Sequence, residues 1–150
     1  MRVLGLVLVA WTLSACAGSP ADRSLDAAAK LFHAPADQAC IYVVPINARS
    51  EVTVTMDGRK IGRLVEANFV RLEVPPGRHV LYVTPPSLLP VITRETHEDL
   101  TLETEAGHCY FLRAVSAEDE GRWRQFRVYL ERMTEAEGQR EVNVRRLALP

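Results

Sequence analysis

The residues best suited to covalent chemistry in this sequence are its three cysteines, Cys16, Cys40 and Cys109. Cys109 follows His108 directly, and a thiol beside an imidazole is the combination that a Cys–His nucleophile requires. Neighbouring residues of a strand point to opposite faces, however, so these two side chains diverge unless a bulge intervenes. The pattern argues against catalysis here, and we assign no catalytic residue.

The four histidines show no spacing typical of a metal site. They are His33, His79, His97 and His108. The sequence also lacks a Gly-rich phosphate loop, a Ser nucleophile elbow and an HExxH motif. We therefore predict no metal and no cofactor, and we interpret His79 as a core-edge histidine bonded to a loop backbone. The alternative is a hydrolase or metal-dependent enzyme whose site is assembled from dispersed residues.

Cys16 ends a short apolar run at the start of the chain. Met1-Arg2 supplies a basic beginning, Val3 to Leu13 carries no charge, and the small residues Ser14-Ala15 precede the cysteine. The run is too short for a transmembrane helix, which needs roughly 20 apolar residues, and it has the length of a signal-peptide core. The alternative is a buried N-terminal helix with an incidental cysteine.

Residues 1–16 resemble the leader of bacterial lipoproteins, with Leu13-Ser14-Ala15-Cys16 as the lipobox. The resemblance implies removal of residues 1–15, a thioether-linked diacylglycerol on Cys16 and a further acyl chain such as palmitate on the freed amine. Two or three chains anchor a protein stably where one does not. An acidic residue directly after the lipidated cysteine resembles an inner-membrane retention signal. This sequence has Ala17 at that position, which favours the outer membrane, with the domain facing the periplasm.

Cys40 and Cys109 remain after lipidation, and each opens an apolar, strand-like run. In the oxidising compartment that an exported protein reaches, two such cysteines usually form a disulfide. We predict that they pair across neighbouring strands or between two sheets. Two buried free thiols are the alternative.

Composition places the mature chain among single-domain globular proteins. Removal of the leader leaves 135 residues, with 17 basic and 19 acidic side chains, which is enough for a real core and argues against nucleic acid as a partner. Residues 98–120 carry seven acidic side chains and one arginine, whereas residues 121–150 carry seven arginines and four glutamates. The asymmetry indicates two solvated faces, charge complementarity within the molecule, or a basic patch for an anionic polymer or lipid headgroup.

The mature chain divides into two regions, which must position the cysteines and histidines described above. Residues 16–38 hold the lipidated cysteine, a tether from residue 17 to about residue 22, and a short helix over residues 24–32. That helix would begin behind Ser24, end before Pro35 and present one face made of Leu25, Ala28 and Phe32. Residues 39–150 form the second region.

Alternating apolar residues predict a mainly β fold over residues 39–133. The turn signals are Asp57-Gly58, Pro75-Pro76-Gly77 and Gly107, with a bulge or a close backbone approach at Gly62 and an acidic loop over residues 118–121. The spacing predicts an antiparallel β-sandwich of about 7–8 strands, with a partly open barrel as the alternative. It is flanked by the short N-terminal helix and by a short C-terminal helix that opens on a capping box formed by Thr134 and Glu137.

Two exposed-looking segments are candidates for a binding surface. One is Arg122, Trp123 and Arg124 beside the glycine of the acidic loop, because Arg and aromatic residues are enriched in interfaces. The other is Leu88 and Leu89, which lie in a proline-rich loop.

Two segments also resemble the PEGA-like module: Met56–Leu64, which contains a "DG…G.L" hairpin, and Glu73–Leu81, which contains "V.PG.H.L". Together with Phe32–Val43 and Glu105–Leu112, they are similar to a family of small bacterial lipoproteins of unknown function. The resemblance implies a transthyretin-like β-sandwich and no established chemistry. We predict a membrane-anchored, non-enzymatic binding or structural module of the cell envelope, with an envelope protein or peptidoglycan as its partner.

Overall fold

A computed structural model describes residues 20–46, 51–85, 96–119 and 125–148. These residues form two helices and ten strands, of which eight have five or more residues, in agreement with the predicted number. None of the helices among them is long and apolar enough to cross a membrane. The elements are α1 (Pro20–Ala29), β1 (Ala39–Ile46), β2 (Val52–Met56), β3 (Arg59–Leu64), β4 (Asn68–Val74), β5 (Gly77–Thr84), β6 (Thr96–His97), β7 (Leu100–Thr104), β8 (Cys109–Asp119), β9 (Gln125–Arg132), α2 (Glu135–Asn143) and β10 (Arg146–Leu147).

The strands form a β-sandwich, as predicted. One sheet has the order β10-β4-β1-β8-β9-β6 and the other the order β3-β2-β5-β7. The smaller sheet is antiparallel. The larger sheet is mixed rather than purely antiparallel, because β1 pairs in parallel with β8, β4 with β10, and β6 with β9. Turn residues indicate hairpins between strands that are neighbours in sequence. They do not indicate which strands that are distant in sequence pair in parallel.

Two hydrophobic layers lie on opposite faces of the larger sheet. The first fills the space between the sheets, and Ile41 and Val43 of β1 point into it. The second lies under the helices, and Cys40, Tyr42 and Val44 point into that one. Because β1 is buried on both faces, its sequence is a continuous apolar run rather than an alternation.

The turn at Asp57-Gly58 closes a two-residue hairpin between β2 and β3, as predicted. Both residues have positive φ, 50° for Asp57 and 77° for Gly58, which is the conformation that a type I′ turn requires. The pairing register shifts between Val54 and Thr55, opposite Gly62, and this shift is the predicted bulge. The turn therefore sets both the register and the twist of this edge of the sandwich.

The Pro75-Pro76-Gly77 turn joins two strands that do not pair with each other. It leaves β4 in the six-stranded sheet and enters β5 in the four-stranded sheet, and Gly77 has a φ of 138°. The turn is therefore the point where the chain crosses from one layer of the sandwich to the other.

The predicted first helix is displaced. It begins at Pro20, which shortens the predicted tether, and it ends at Ala29. Phe32 lies beyond the helix with a φ of 55°, and its ring packs 5.5 Å from the ring of Tyr42. The predicted face is wrong, because Ala29 is the buried residue and Leu25 is exposed. Aromatic packing with β1 takes Phe32 out of the helix.

The predicted start of the acidic loop is wrong, because β8 continues through Asp119, and residues 120 and 121 lie outside the described residues. The C-terminal helix is confirmed with its capping box: Glu137 N–H donates to the Thr134 hydroxyl, and Thr134 N–H donates to the Glu137 carboxylate. Val142 of this helix is fully buried, and Leu147 of β10 packs against the same hydrophobic layer.

Gly138 allows α2 to lie against the sheet. A Cβ atom at this position would overlap the side chain of Phe111. We expect Gly138→Ala to reduce the free energy of unfolding by about 1–3 kcal/mol through overpacking, although alanine favours helix by roughly 1 kcal/mol. Urea unfolding measures the change.

The control for this prediction is Asn143→Ala, at an exposed position in the last turn of the same helix. It should leave stability unchanged or raise it slightly. A Gly138→Ala protein as stable as the Asn143→Ala protein would contradict the close packing.

Candidate functional site

Several predicted site residues lie outside the described part of the chain. They are Cys16, Leu88, Leu89, Arg122, Trp123 and Arg124. Their lipidation and binding roles stay predictions. The structure does place the predicted cysteine pair and the histidines at positions 33, 79 and 108.

Cys40 and Cys109 form a disulfide, with their Cα atoms 4.5 Å apart. They lie directly opposite each other in the parallel pair of β1 and β8, so the predicted pairing across neighbouring strands is confirmed. The sulfur of Cys109 is consumed in this bond, and His108 is exposed with its Nδ1 atom 3.1 Å from the Ala106 carbonyl. These two adjacent residues therefore do not form a nucleophile and its base.

The disulfide lies in a cluster of aromatic rings beneath the helices. The ring of Tyr42 stacks on Phe111 at 5.0 Å and meets Phe69 at 6.1 Å. The sulfur of Cys109 lies 3.3 Å from the carbonyl oxygen of Phe32. These packed aromatic surroundings indicate that the disulfide has a structural role.

The Tyr42 hydroxyl is the polar centre of this layer. It donates to the Ala29 carbonyl at 2.6 Å and accepts from Arg71 Nε at 3.1 Å. Arg71 also donates to the His33 carbonyl at 3.0 Å and pairs with Glu73 at 2.7 Å. Burial raises the pKa of Tyr42, so the phenol stays protonated and ties α1 to the sheet.

Asp57 and His79 form a second polar unit on the four-stranded sheet. The carboxylate of Asp57 lies 2.8 Å from His79 Nδ1 and accepts from the Val80 N–H at 2.9 Å. His79 Nε2 donates to the Pro75 carbonyl at 2.9 Å. The predicted bond from His79 to a loop backbone is therefore confirmed. Both ring nitrogens are occupied, so the ring joins the two turns and is not free to act as an acid or base.

The pKa values of Asp57 and His79 are shifted in opposite directions. Burial disfavours the charged ring of His79, but the hydrogen bonds to Asp57 and to the Pro75 carbonyl outweigh burial and raise its pKa. The hydrogen bond from His79 in turn lowers the pKa of Asp57. Each shift favours the ion pair.

A groove of about 870 Å³ runs along the free edge of β3. Its walls carry charged and amide side chains together with small apolar ones, and Arg63 pairs with Glu51 across it at 3.0 Å. The Asn68 amide donates to the Arg63 carbonyl and accepts from the Val65 N–H. The lining is Glu51, Thr53, Lys60, Ile61, Gly62, Arg63, Val65, Asn68 and Ala148.

This edge is poorly suited to receive an added strand. A bulge, exposed basic side chains and a side-chain amide on the backbone are the devices that protect edge strands. The groove is instead a cleft of mixed polar and apolar lining that presents the exposed side chains of Lys60 and Arg63 to a compact ligand. Among the residues that the structure describes, no three or more His, Cys, Asp and Glu side chains are grouped to hold a metal ion.

A hydrogen-bonded hub joins both helices to the sheets. Lys30 Nζ donates to the Asp26 carboxylate at 2.8 Å and to the Arg145 carbonyl at 2.6 Å. The guanidinium of Arg145 donates to Glu141, to the Glu66 carbonyl at 3.2 Å and to the Pro45 carbonyl at 3.1 Å. We call Asp26, Lys30, Glu66 and Arg145 the Lys30–Arg145 hub.

Sequence reasoning missed this hub. Asp26 with Lys30, and Glu141 with Arg145, stand four residues apart, which is the spacing of an ion pair on one helix face. That spacing indicates the pairs but not the carbonyl groups of distant loops that Lys30 and Arg145 also bind.

No protein-family model matches this chain, and a search of curated proteins finds no significant match. The resemblance to the PEGA-like module stays a prediction.

The Asp57–His79 pair makes stability depend on pH. Its contribution is complete between the ordinary pKa values, about 4 for Asp and about 6.5 for His. The contribution is lost as pH rises through the raised pKa of His79 and as pH falls through the lowered pKa of Asp57.

Asp57→Asn keeps a residue that tolerates positive φ, and it should lower the pKa of His79 in an NMR titration.

Urea unfolding should show the largest difference between wild type and Asp57→Asn at about pH 5.5, with a smaller difference at about pH 9. Glu103→Gln is the control, because Glu103 acts on His79 only through its charge and its removal should lower the His79 pKa less. A constant difference at both pH values would contradict the role of the pair.

The disulfide closes a loop of 69 residues. Replacing both cysteines, by Cys40→Ala and Cys109→Ala, should lower the free energy of unfolding by about 4 kcal/mol, because the unfolded chain gains freedom. Urea unfolding without reductant gives the difference, and reduced wild type should match the double variant. A loss below roughly 1 kcal/mol would mean that packing alone holds the β1–β8 pair.

Proposed function

We propose that the chain is a lipid-anchored protein of the bacterial cell envelope, attached through Cys16 and acting as a non-enzymatic binding or structural module. The observation that carries the proposal is the Cys40–Cys109 disulfide, which follows a leader ending in Leu13-Ser14-Ala15-Cys16. Disulfides persist in oxidising compartments such as the periplasm. The bond and the leader therefore support the same location from independent features, with the outer membrane favoured by Ala17.

The candidate binding surface is the groove beside β3. Lys60, Arg63 and Glu51 line it together with the Asn68 amide, so a polar ligand would find donors and acceptors in one cleft. Peptidoglycan and a polar segment of an envelope protein both have this chemistry. We propose the groove as the contact for such a partner.

The non-enzymatic role is supported by what the reactive groups do. Cys109 is oxidised in the disulfide, His79 has both nitrogens bonded, and the Tyr42 hydroxyl holds α1 to the sheet. These three groups, which could act as a nucleophile or base by type, each have a structural partner. The alternative, a hydrolase or metal-dependent enzyme, would need a site built from other residues.

Cys16→Ser tests the anchor. The variant should accumulate as an uncleaved precursor without acyl chains, because serine offers no thiol for the thioether bond. Mass spectrometry of the protein from the membrane fraction measures both properties. Ser14→Thr, which keeps a small residue before Cys16, is the control and should be processed.

A Cys16→Ser protein that is cleaved after Ala15, or a wild-type protein without acyl mass, would refute the lipid anchor. Either result would leave the fold and the groove unaffected.

A further inference from the structure

We propose that one surface of the domain, formed by Leu25, Leu31, Val65 and Val144, rests on the lipid bilayer. This inference depends on the proposed lipid anchor and adds the orientation in which the anchor holds the domain. We call these four residues the apolar rim.

The apolar rim contains the large hydrophobic side chains that are exposed within the described residues. Their exposed fractions are 51 % for Leu25, 64 % for Leu31, 40 % for Val65 and 79 % for Val144. Single exposed hydrophobic residues are ordinary on a protein surface, but grouped ones indicate an interaction site.

The Lys30–Arg145 hub brings together the four chain segments that carry these side chains. Leu25 adjoins Asp26, and Leu31 adjoins Lys30. Val65 and Val144 adjoin Glu66 and Arg145 in the same way. The hydrogen bonds that link the hub residues, from 2.6 to 3.2 Å, therefore gather four separate chain segments around one polar centre.

The length of the tether selects the bilayer as the occupant of this surface. Only three residues separate Cys16 from the first residue of α1, Pro20, and a fully extended chain from Cys16 to Pro20 spans about 14 Å. Helix α1 itself is about 15 Å long, and it carries Leu25. A lipid on Cys16 thus holds the helix end of the domain close to the membrane surface.

The chemistry of the rim suits a membrane interface. Apolar side chains enter the boundary between headgroups and acyl chains while polar groups stay at the headgroup level. Lys30 and Arg145, which adjoin Leu31 and Val144 along the chain, have their charges bonded within the protein. The outer face of the four-stranded sheet, which carries Thr101, lies in the layer away from the helices.

Tryptophan fluorescence in vesicles tests this orientation. The lipidated protein, in a Trp123→Phe background that leaves no tryptophan in the mature chain, is reconstituted in vesicles of phosphatidylethanolamine and phosphatidylglycerol. The rim probes are Leu31→Trp and Val144→Trp, and the matched control is Thr101→Trp, at an exposed position of β7. Brominated acyl chains, which quench only nearby tryptophan, should reduce emission from the rim probes to roughly half and leave the control unchanged.

Vesicle-bound, lipidated protein whose rim probes are quenched no more than Thr101→Trp would overturn the inference and leave the anchor intact. Rim probes that are shielded from aqueous iodide but not quenched by brominated lipid would also overturn it, because another protein copy would then cover the rim. Mass spectrometry that finds no acyl chain on Cys16 would refute the proposed function and, with it, this orientation.

Discussion

The burial of β1 on both faces is the constraint on which the rest of the structure depends. One face of this strand completes the core between the sheets, and the other supports the aromatic layer under the helices. The strand has β4 on one side and β8 on the other, so it is also enclosed in the plane of the sheet. The helices, the disulfide and the Tyr42 network are all arranged around this strand.

Polar side chains in this protein mainly satisfy backbone carbonyl groups that the strands and helices leave open. Arg71 binds the segment after α1, His79 binds the turn between the sheets, and Arg145 binds two carbonyls from different segments. Within the described residues, no buried side-chain nitrogen or oxygen atom lacks a hydrogen-bond partner. Such complete pairing fits a domain whose charged groups serve its architecture, because an unpaired buried polar group is costly.

Local features were predictable from the sequence, and distant ones were not. The Asp57-Gly58 turn and the Thr134 capping box depend on residues within one turn of chain, so their sequence determines their geometry. The parallel pairing of β1 with β8 depends on segments about 70 residues apart, and only the two cysteines indicated it. The first helix was misplaced because the ring of Phe32 packs against Tyr42 rather than continuing the helical face.

The candidate surfaces were harder to predict than the fold. The groove beside β3 combines residues from the middle and the end of the chain, and the Lys30–Arg145 hub combines residues from its start, middle and end. Periodicity identifies which residues of one element face inward, but it does not show which loops meet. The segments that carry Leu25 and Val144 meet through long-range hydrogen bonds, which no local pattern indicates.

The position of the disulfide has a mechanical consequence. A force applied to the N-terminal end of the domain would pass through α1 and then reach β1, whose second residue is Cys40. Pulling could detach α1 and Ala39, but the covalent bond to Cys109 would then carry the load into β8 at the centre of the larger sheet. The rest of β1 would be protected from peeling, so the domain is built to bear tension at the end where its chain would be held.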